Sequence, residues 1–335
     1  MLFAIGQLIA GSLLLLIGGE GVVRGASRLA ILARLSPLFV GLTVVSLGTS
    51  APEMAVSIAT ALEGKADITI GNVVGSNLFN MLMIVGFSAI VAALPVDRQI
   101  TYFDVPVMVL ACLAMGAFGY DGNINRIDGI ILLTTMVIYF GVSYKLGKQK
   151  PSEEMMEFVE DVAGEPLKSD SLARKIGAVA MQFAILALGI GGLILGCEWF
   201  VAGSVTFARF FGLSEAVIGL TIVSVGTSLP ELVTSVAATL KGERGIAIGN
   251  AVGSTILNIL AVLGVASVVS PVGINVLRSI EVIDIPVMVA AALVSWFVFR
   301  TDHTVTRLEG VFLTMLYATY IIYLLIVNNA IPTPW

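Results

Sequence analysis

The sequence predicts an all-α membrane protein: ten transmembrane helices, built as two inverted five-helix repeats with broken helices at the centre. Three observations predict it. The chain of 335 residues is 57% hydrophobic and 12% charged. Apolar stretches of spanning length recur ten times. The sequence also aligns with itself, without a gap across its core, at an offset of 178 residues.

Soluble domains carry about 25% charged residues. Half that share, with a mean hydropathy of +1.00, leaves more apolar surface than a soluble fold of this size can cover, but a bilayer solvates it. The net charge of −5 comes without a basic tract, which argues against nucleic acid as a partner. Cys112 and Cys197 sit far apart in apolar segments and read as packing residues, not as a disulfide or zinc site. The opening MLFAIGQLIAGSLLLLIGG has no basic region before its apolar run and no convincing cleavage site, so it reads as a retained first helix. No cofactor is implied. Membrane lipid is the expected partner, and no obligate protein partner is evident.

A spanning helix needs about 20 mostly apolar residues. Segments 1–33, 37–62, 68–93, 103–120, 127–147, 174–211, 215–240, 245–269, 281–299 and 308–327 qualify. At about 1.5 Å per residue the first and sixth exceed a hydrocarbon core of ~30 Å, so they should tilt or pass the interface. The one long polar stretch, 148–173, holds Glu153, Glu154, Glu157, Glu160, Asp161 and Glu165. It reads as a linker between a first repeat, 1–147, and a second, 174–335. With the N-terminus outside, twelve loop Lys and Arg residues (Arg34, Arg98 and Lys145 among them) fall on the cytoplasmic side. Four (Lys65, Arg126, Arg209, Arg278) fall outside. The positive-inside rule then places both termini outside and the linker in the cytoplasm, in a plasma (inner) membrane.

In the repeat, GLTVVSLGTSAPE (41–53) lies on GLTIVSVGTSLPE (219–231), and IGNVVGSNLFN (70–80) on IGNAVGSTILN (248–258). From Gly41 to Gly86, 24 of 46 positions are identical to their partners. With small offsets DVPVMV (104–109) matches DIPVMV (284–289), and RIDG (126–129) matches RLEG (307–310). Shared apolarity cannot keep Gly, Pro, Glu and Asn in step. Five helices is an odd number, so the second half enters the membrane upside down. Inverted repeats with polar groups at midplane breaks are an architecture of secondary transporters.

Glu53 and Glu231 fall near the middle of spans two and seven, where a charge costs several kcal/mol unless it is paired or solvated. Pro52 and Pro230 lack an N–H and crowd the carbonyls of Gly48 and Gly226, which breaks each helix and frees backbone oxygens. Thr49, Ser50, Thr227 and Ser228 add hydroxyls. A carboxylate among hard oxygens suits Ca²⁺ or Na⁺ and not zinc or copper. Asn72, Ser76 and Asn80 share one face of span three, and Asn250, Ser254 and Asn258 one face of span eight. Asn72 and Asn250 fit interhelical packing and ligation equally. The other four read as ligands. Weaker candidates are Glu20 and Glu198, facing water near a helix kink; His303, solvated in a cytoplasmic loop; and Asp104 and Asp284, complementing helix dipoles at span starts.

These doubled GTSxPE and GNxxGSxxxN elements resemble the α-repeats of the Ca²⁺/cation antiporter superfamily, in its sodium/calcium exchanger branch, over nearly the whole chain. The resemblance implies the ten-helix exchanger fold and a central Ca²⁺ site from Glu53, Glu231 and the carbonyls of Thr49 and Thr227. It implies flanking Na⁺ sites from the Ser46 carbonyl, Thr49, Ser50 and Ser76, and from the Ser224 carbonyl, Thr227, Ser228 and Ser254. Asn80 and Asn258 complete the middle. The family exchange is usually written as three Na⁺ for one Ca²⁺. Asn258 departs from the aspartate of some relatives, including potassium-dependent ones. This argues against K⁺ co-transport and leaves two central carboxylates. The short linker has no room for large calcium-sensing domains.

The expected mechanism is competition of Na⁺ and Ca²⁺ for one oxygen cluster that opens to one side at a time. The long first and sixth helices are the candidates for the moving gate. Two glutamates neutralise one Ca²⁺ while three Na⁺ leave an extra positive charge, so the cycle responds to voltage at about 2.3 kcal/mol per charge per 100 mV. The rival readings are a Ca²⁺/H⁺ antiporter of the same fold and a cation channel. No Ser/His or His/Asp arrangement supports an enzyme.

Overall fold

A computed structural model describes residues 2–32, 35–147, 172–210, 224–278 and 280–330. Most of the predicted linker and residues 215–223 of the seventh predicted span lie outside the described residues. The first half comprises α1 (Leu2–Leu32), α2 (Pro37–Thr49), α3 (Ala51–Leu62), α4 (Ala66–Leu78, continued by a π-helical turn Phe79–Ile84 and α-helix Val85–Val91), α5 (π-helical Ile100–Asp104, then Val105–Phe118) and α6 (Arg126–Gly147). The second comprises α7 (Leu172–Phe210), α8 (Ser224–Thr227), α9 (Leu229–Leu240), α10 (Arg244–Leu257, π-helical Asn258–Leu263, Gly264–Val269), α11 (π-helical Ile280–Asp284, then Ile285–Arg300) and α12 (Arg307–Ala330).

Among the described residues seven helices are long and apolar enough to cross a membrane: α1, α4, α5, α6, α7, α10 and α11. The pair α2 and α3, bent by 47°, makes an eighth. Helix α9 is apolar but shorter, at 12 residues. α12 runs for 24 residues. The breaks fall where the prolines predict. Pro52 is the second residue of α3 and Pro230 the second of α9, positions that need no helical N–H. Ser50 (φ −80°, ψ 10°) and Ser228 (φ −94°, ψ 9°) leave the helical region just before them.

The repeat-related helices α1 and α7 run antiparallel. Gly11 lies against Phe200, Gly18 against Leu193 and Gly25 against Leu186. A methyl group at Gly18 would come within 2.7 Å of the Leu193 nitrogen. Small residues thus let the two backbones touch, the usual basis of helix association where lipid removes a hydrophobic driving force. Gly18→Val is expected to cost about 1–3 kcal/mol by overpacking. Gly6→Val, where a Cβ meets nothing within 4 Å, should be silent. Thermal unfolding of both variants in detergent checks this.

The halves interlock. α12 packs on α4 through Gly310 and Gly86, and α6 packs on α10 through Gly129 and Gly264. Two-residue strands join the interhelical loops: β1 (Leu94–Pro95) pairs antiparallel with β4 (Thr304–Val305), and β2 (Asn123–Ile124) with β3 (Ile274–Asn275). The loop after α4 therefore lies beside the loop after α11, and the loop after α5 beside the loop after α10. Helices α4 and α10 form the centre, with 78% and 83% of their apolar windows buried; α1, α6 and α7, at 22–28%, form the lipid-facing rim.

Candidate functional site

Each break brings a carboxylate of one half to a hydroxyl of the other. Ser50 Oγ donates to Glu231 Oε1 at 2.9 Å, and Ser228 Oγ lies 2.8 Å from Glu53 Oε1 and 3.2 Å from Ser76 Oγ. Thr227 and Thr49 stand beside the Glu53 and Glu231 carboxylates, respectively. Both glutamates are almost wholly withdrawn from the surface, at 1% and 0% exposure. The reciprocity joins repeat-equivalent residues: Ser50 and Ser228, like Glu53 and Glu231, stand 178 positions apart.

The cluster is rich in unused oxygen. Glu53 Oε2, Glu231 Oε2, Ser254 Oγ and both polar atoms of Asn80 and Asn258 are buried without a hydrogen-bond partner. Each unpartnered buried polar atom costs about 1–3 kcal/mol, and an isolated charge at this depth costs more. A cation would relieve the cost of the unpartnered oxygens and that of the charge at once; the two amide nitrogens can only donate. Asn80 and Asn258 sit within the π-helical turns of α4 and α10, which pack on α9 and α3, the helices of Glu231 and Glu53. Such turns often mark functional sites. Nothing in the sequence announces them.

Ser46, Thr49, Ser50, Ser76, Ser228 and Ser254 are buried as a binding site requires. The Ser46 hydroxyl donates to the Leu42 carbonyl at 2.7 Å. Ser224 opens α8, and its side chain lies outside the described residues. Among the described residues no cluster of three or more His, Cys, Asp or Glu side chains occurs; the donor set is carboxylate, hydroxyl and amide oxygen, a hard set.

The weaker candidates stand elsewhere. Glu20 lies within the continuous helix α1, and its carboxylate pairs with Arg24 at 3.0 Å and Lys241 at 3.1 Å. Glu198 is exposed. The carboxylates of Asp104 and Asp284 do not serve free helix N-termini, because the preceding π-helical turns continue each helix past them. They accept instead from Tyr139 at 3.0 Å and Tyr320 at 2.9 Å, one tyrosine–aspartate pair per half. His303 is half-buried and has a structural role: with φ at 49°, it offers its carbonyl to Val96 N–H at 2.8 Å. Both cysteines are buried and free. The Cys197 thiol of α7 donates to the Gly226 carbonyl, the one Pro230 leaves without its helical partner. Sequence reasoning missed this link between the rim helix and the second break.

The family model for sodium/calcium exchanger proteins matches residues 3–145 and 181–326. The chain belongs to the sodium/calcium exchanger family. Like other members, this exchanger is a multi-pass membrane antiporter and not an enzyme. It is 35% identical over 318 residues to the inner membrane protein YrbG of Escherichia coli K12, covering 94% of each chain. It is 29% identical to the sodium/calcium exchanger MaX1 of Methanosarcina acetivorans, covering 95% of this chain and 97% of that one. Its fold superposes on a solved structure of the sodium–calcium exchanger NCX_Mj with a TM-score of 0.80, at 28% identity and over 96% and 98% of the two chains. The similarity spans both repeats, so the reciprocal carboxylate cluster lies within the matched region.

Proposed function

We propose that the protein exchanges Na⁺ for Ca²⁺ by alternating access, electrogenically and without K⁺, across a plasma (inner) membrane. The observation that carries this reading is the buried, reciprocal cluster: two carboxylates, each bound to a serine of the opposite half, with hard oxygens left unpartnered around them. The ligands are Glu53, Glu231, Ser46, Thr49, Ser50, Ser76, Asn80, Ser224, Thr227, Ser228, Ser254 and Asn258. Two carboxylates balance one Ca²⁺, and three Na⁺ carry one charge more. The hydroxyls favour Na⁺ as the counter-ion, since a proton needs only a carboxylate. Asn258 withholds the third carboxylate that accompanies K⁺ dependence in the relatives.

The ion enters a frame of ten spans in two inverted repeats, 1–147 and 174–335. The antiparallel packing of α1 on α7 and the loop pairs β1–β4 and β2–β3 support the inversion. The excess of loop Lys and Arg supports termini outside and a cytoplasmic linker 148–173. The deciding experiment is ⁴⁵Ca²⁺ flux into proteoliposomes with Na⁺, H⁺ or K⁺ as sole counter-ion. Uptake is expected only against a Na⁺ gradient, and faster when the interior is made positive, because three Na⁺ leave for each Ca²⁺ that enters. Uptake driven by a pH gradient in Na⁺-free medium would instead mean a proton antiporter. Ca²⁺ flux that needs no counter-ion would mean a channel.

A further inference from the structure

Beside the second carboxylate lies a closed polar network. Asn250, fully buried, donates from Nδ2 to the Glu231 carbonyl at 3.2 Å and to Ser235 Oγ at 3.0 Å. A carbonyl can only accept, so the amide NH₂ must face α9, and Oδ1 faces away from it. There Thr49 Oγ1, from the other half, lies 3.1 Å from Oδ1. An amide oxygen also can only accept, so the proton in that bond is Thr49's. Ser235 passes its own proton to the Ala247 carbonyl of α10 at 3.3 Å. The one competing acceptor near Thr49 in the broken helix, the Ser46 carbonyl, is farther at 3.4 Å. Asn72 repeats the donor side in the first half, reaching the Glu53 carbonyl at 3.3 Å and Ser57 Oγ at 3.0 Å.

The effect falls on Thr49. A hydroxyl has one proton and binds a cation only through its lone pairs, with the proton turned away. Thr49 sits beside the Glu231 carboxylate. If its proton is not held elsewhere, that carboxylate is the natural acceptor, and the proton then points where a cation must sit. We infer that Asn250 is a positioning residue: by accepting the Thr49 proton it presents the Thr49 hydroxyl as a Na⁺ ligand, and so sets the preference of the site between Na⁺ and Ca²⁺. The inference rests on the Na⁺/Ca²⁺ reading above. Na⁺ depends more on neutral oxygens than Ca²⁺ does, because Ca²⁺ draws chiefly on the two carboxylates, which Asn250 leaves in place. Asn250 acts here through its hydrogen bonds: both its donors are engaged by α9, and its oxygen accepts from Thr49.

The test compares wild type, Asn250→Ala, Thr49→Val and the double variant. Each is purified in detergent and its thermal unfolding recorded. ⁴⁵Ca²⁺ binding is then titrated, alone and against Na⁺. Asn250→Ala should weaken Na⁺ competition about tenfold, the worth of one lost ligand bond, while leaving Ca²⁺ affinity nearly unchanged. Thr49→Val, which keeps the shape and loses the hydroxyl, should weaken Na⁺ competition at least as much, and the double variant should be no worse than Thr49→Val alone. Equal weakening of both ions by Asn250→Ala, or additive effects on Na⁺ competition in the double variant, overturns the inference. Should Asn250→Ala fail to fold, Thr49→Val still decides: unchanged Na⁺ competition overturns it. A wild type that binds Ca²⁺ without Na⁺ competition overturns the functional reading instead.

Discussion

Glu53→Gln and Glu231→Gln should each abolish Na⁺-driven ⁴⁵Ca²⁺ uptake into proteoliposomes. Glutamine keeps the volume and one acceptor oxygen, so Ser228 and Ser50 can still donate to it, and the broken helices keep their shape. The change removes one of the two negative charges of the proposed ion site. Stripping a buried charge of its partner costs about 3–5 kcal/mol, which for a divalent cation held by two carboxylates means loss of binding by more than about a hundredfold. The cation-free protein should respond in the opposite sense. Each glutamate there carries an unpartnered Oε2, so neutralising one relieves repulsion and desolvation, and the melting temperature in chelator should hold or rise. Full uptake by both variants would sink the assignment of the site. Lost uptake together with a collapsed melting temperature would mean that the residues hold the fold and not the ion.

Gly249→Ala and Gly71→Ala occupy repeat-equivalent positions and should behave as opposites. A Cβ at Gly249 would sit 2.7 Å from the Leu38 carbonyl and 3.0 Å from the Leu42 nitrogen. Both are backbone atoms that cannot swing aside, so α10 and α2 must part, at a cost of about 1–3 kcal/mol. Since α2 carries Ser46 and Thr49 and ends just before Ser50, the shift also disturbs these proposed ligands, and exchange should fall with stability. A Cβ at Gly71 meets nothing within 4 Å, and alanine is the better helix former by about 1 kcal/mol. That variant should melt no lower than wild type. Equal losses at the two positions would mean that the close approach of α2 to α10 does not govern the site.

Local signals account for what the sequence made legible. Pro52 and Pro230 mark the breaks because a missing N–H acts on its own helix. Glu53 and Glu231 stand out because charge is rare in apolar segments. The offset of 178 residues made their pairing across the halves foreseeable. Contacts that depend on which helix faces which were not legible. Tyr139 and Tyr320 carry no mark that they will meet Asp104 and Asp284, about 35 residues away in each half. Cys197 meets Gly226 only because α7 lies along the second break. The hydrogen bonds of Asn250 to Glu231, Ser235 and Thr49 likewise depend on how α9, α10 and α2 meet. The π-helical turns at Asn80 and Asn258 have no compositional signature at all. Glu20 and Glu198, 178 positions apart like Glu53 and Glu231, lie on the outer helices and carry no part of the cluster.

Each of α5 and α11 runs from one strand to another, and the strands bind each other at both ends: β1 to β4, β2 to β3. Arg126 reinforces one end by donating to the Ser270 carbonyl at 3.2 Å, and Val96 the other by donating to the His303 carbonyl at 2.8 Å. Two antiparallel rods pinned at both ends form a braced panel. Such a panel resists shear and splay, because any sliding of one rod breaks hydrogen bonds at opposite faces together. α1 and α7 have no such pins among the described residues and touch each other through bare glycine backbone. The compliant degrees of freedom therefore lie in the α1–α7 pair and the stiff ones in the α5–α11 panel. Any force that ion binding exerts on the breaks can be relaxed by the pair while the panel serves as its anchor.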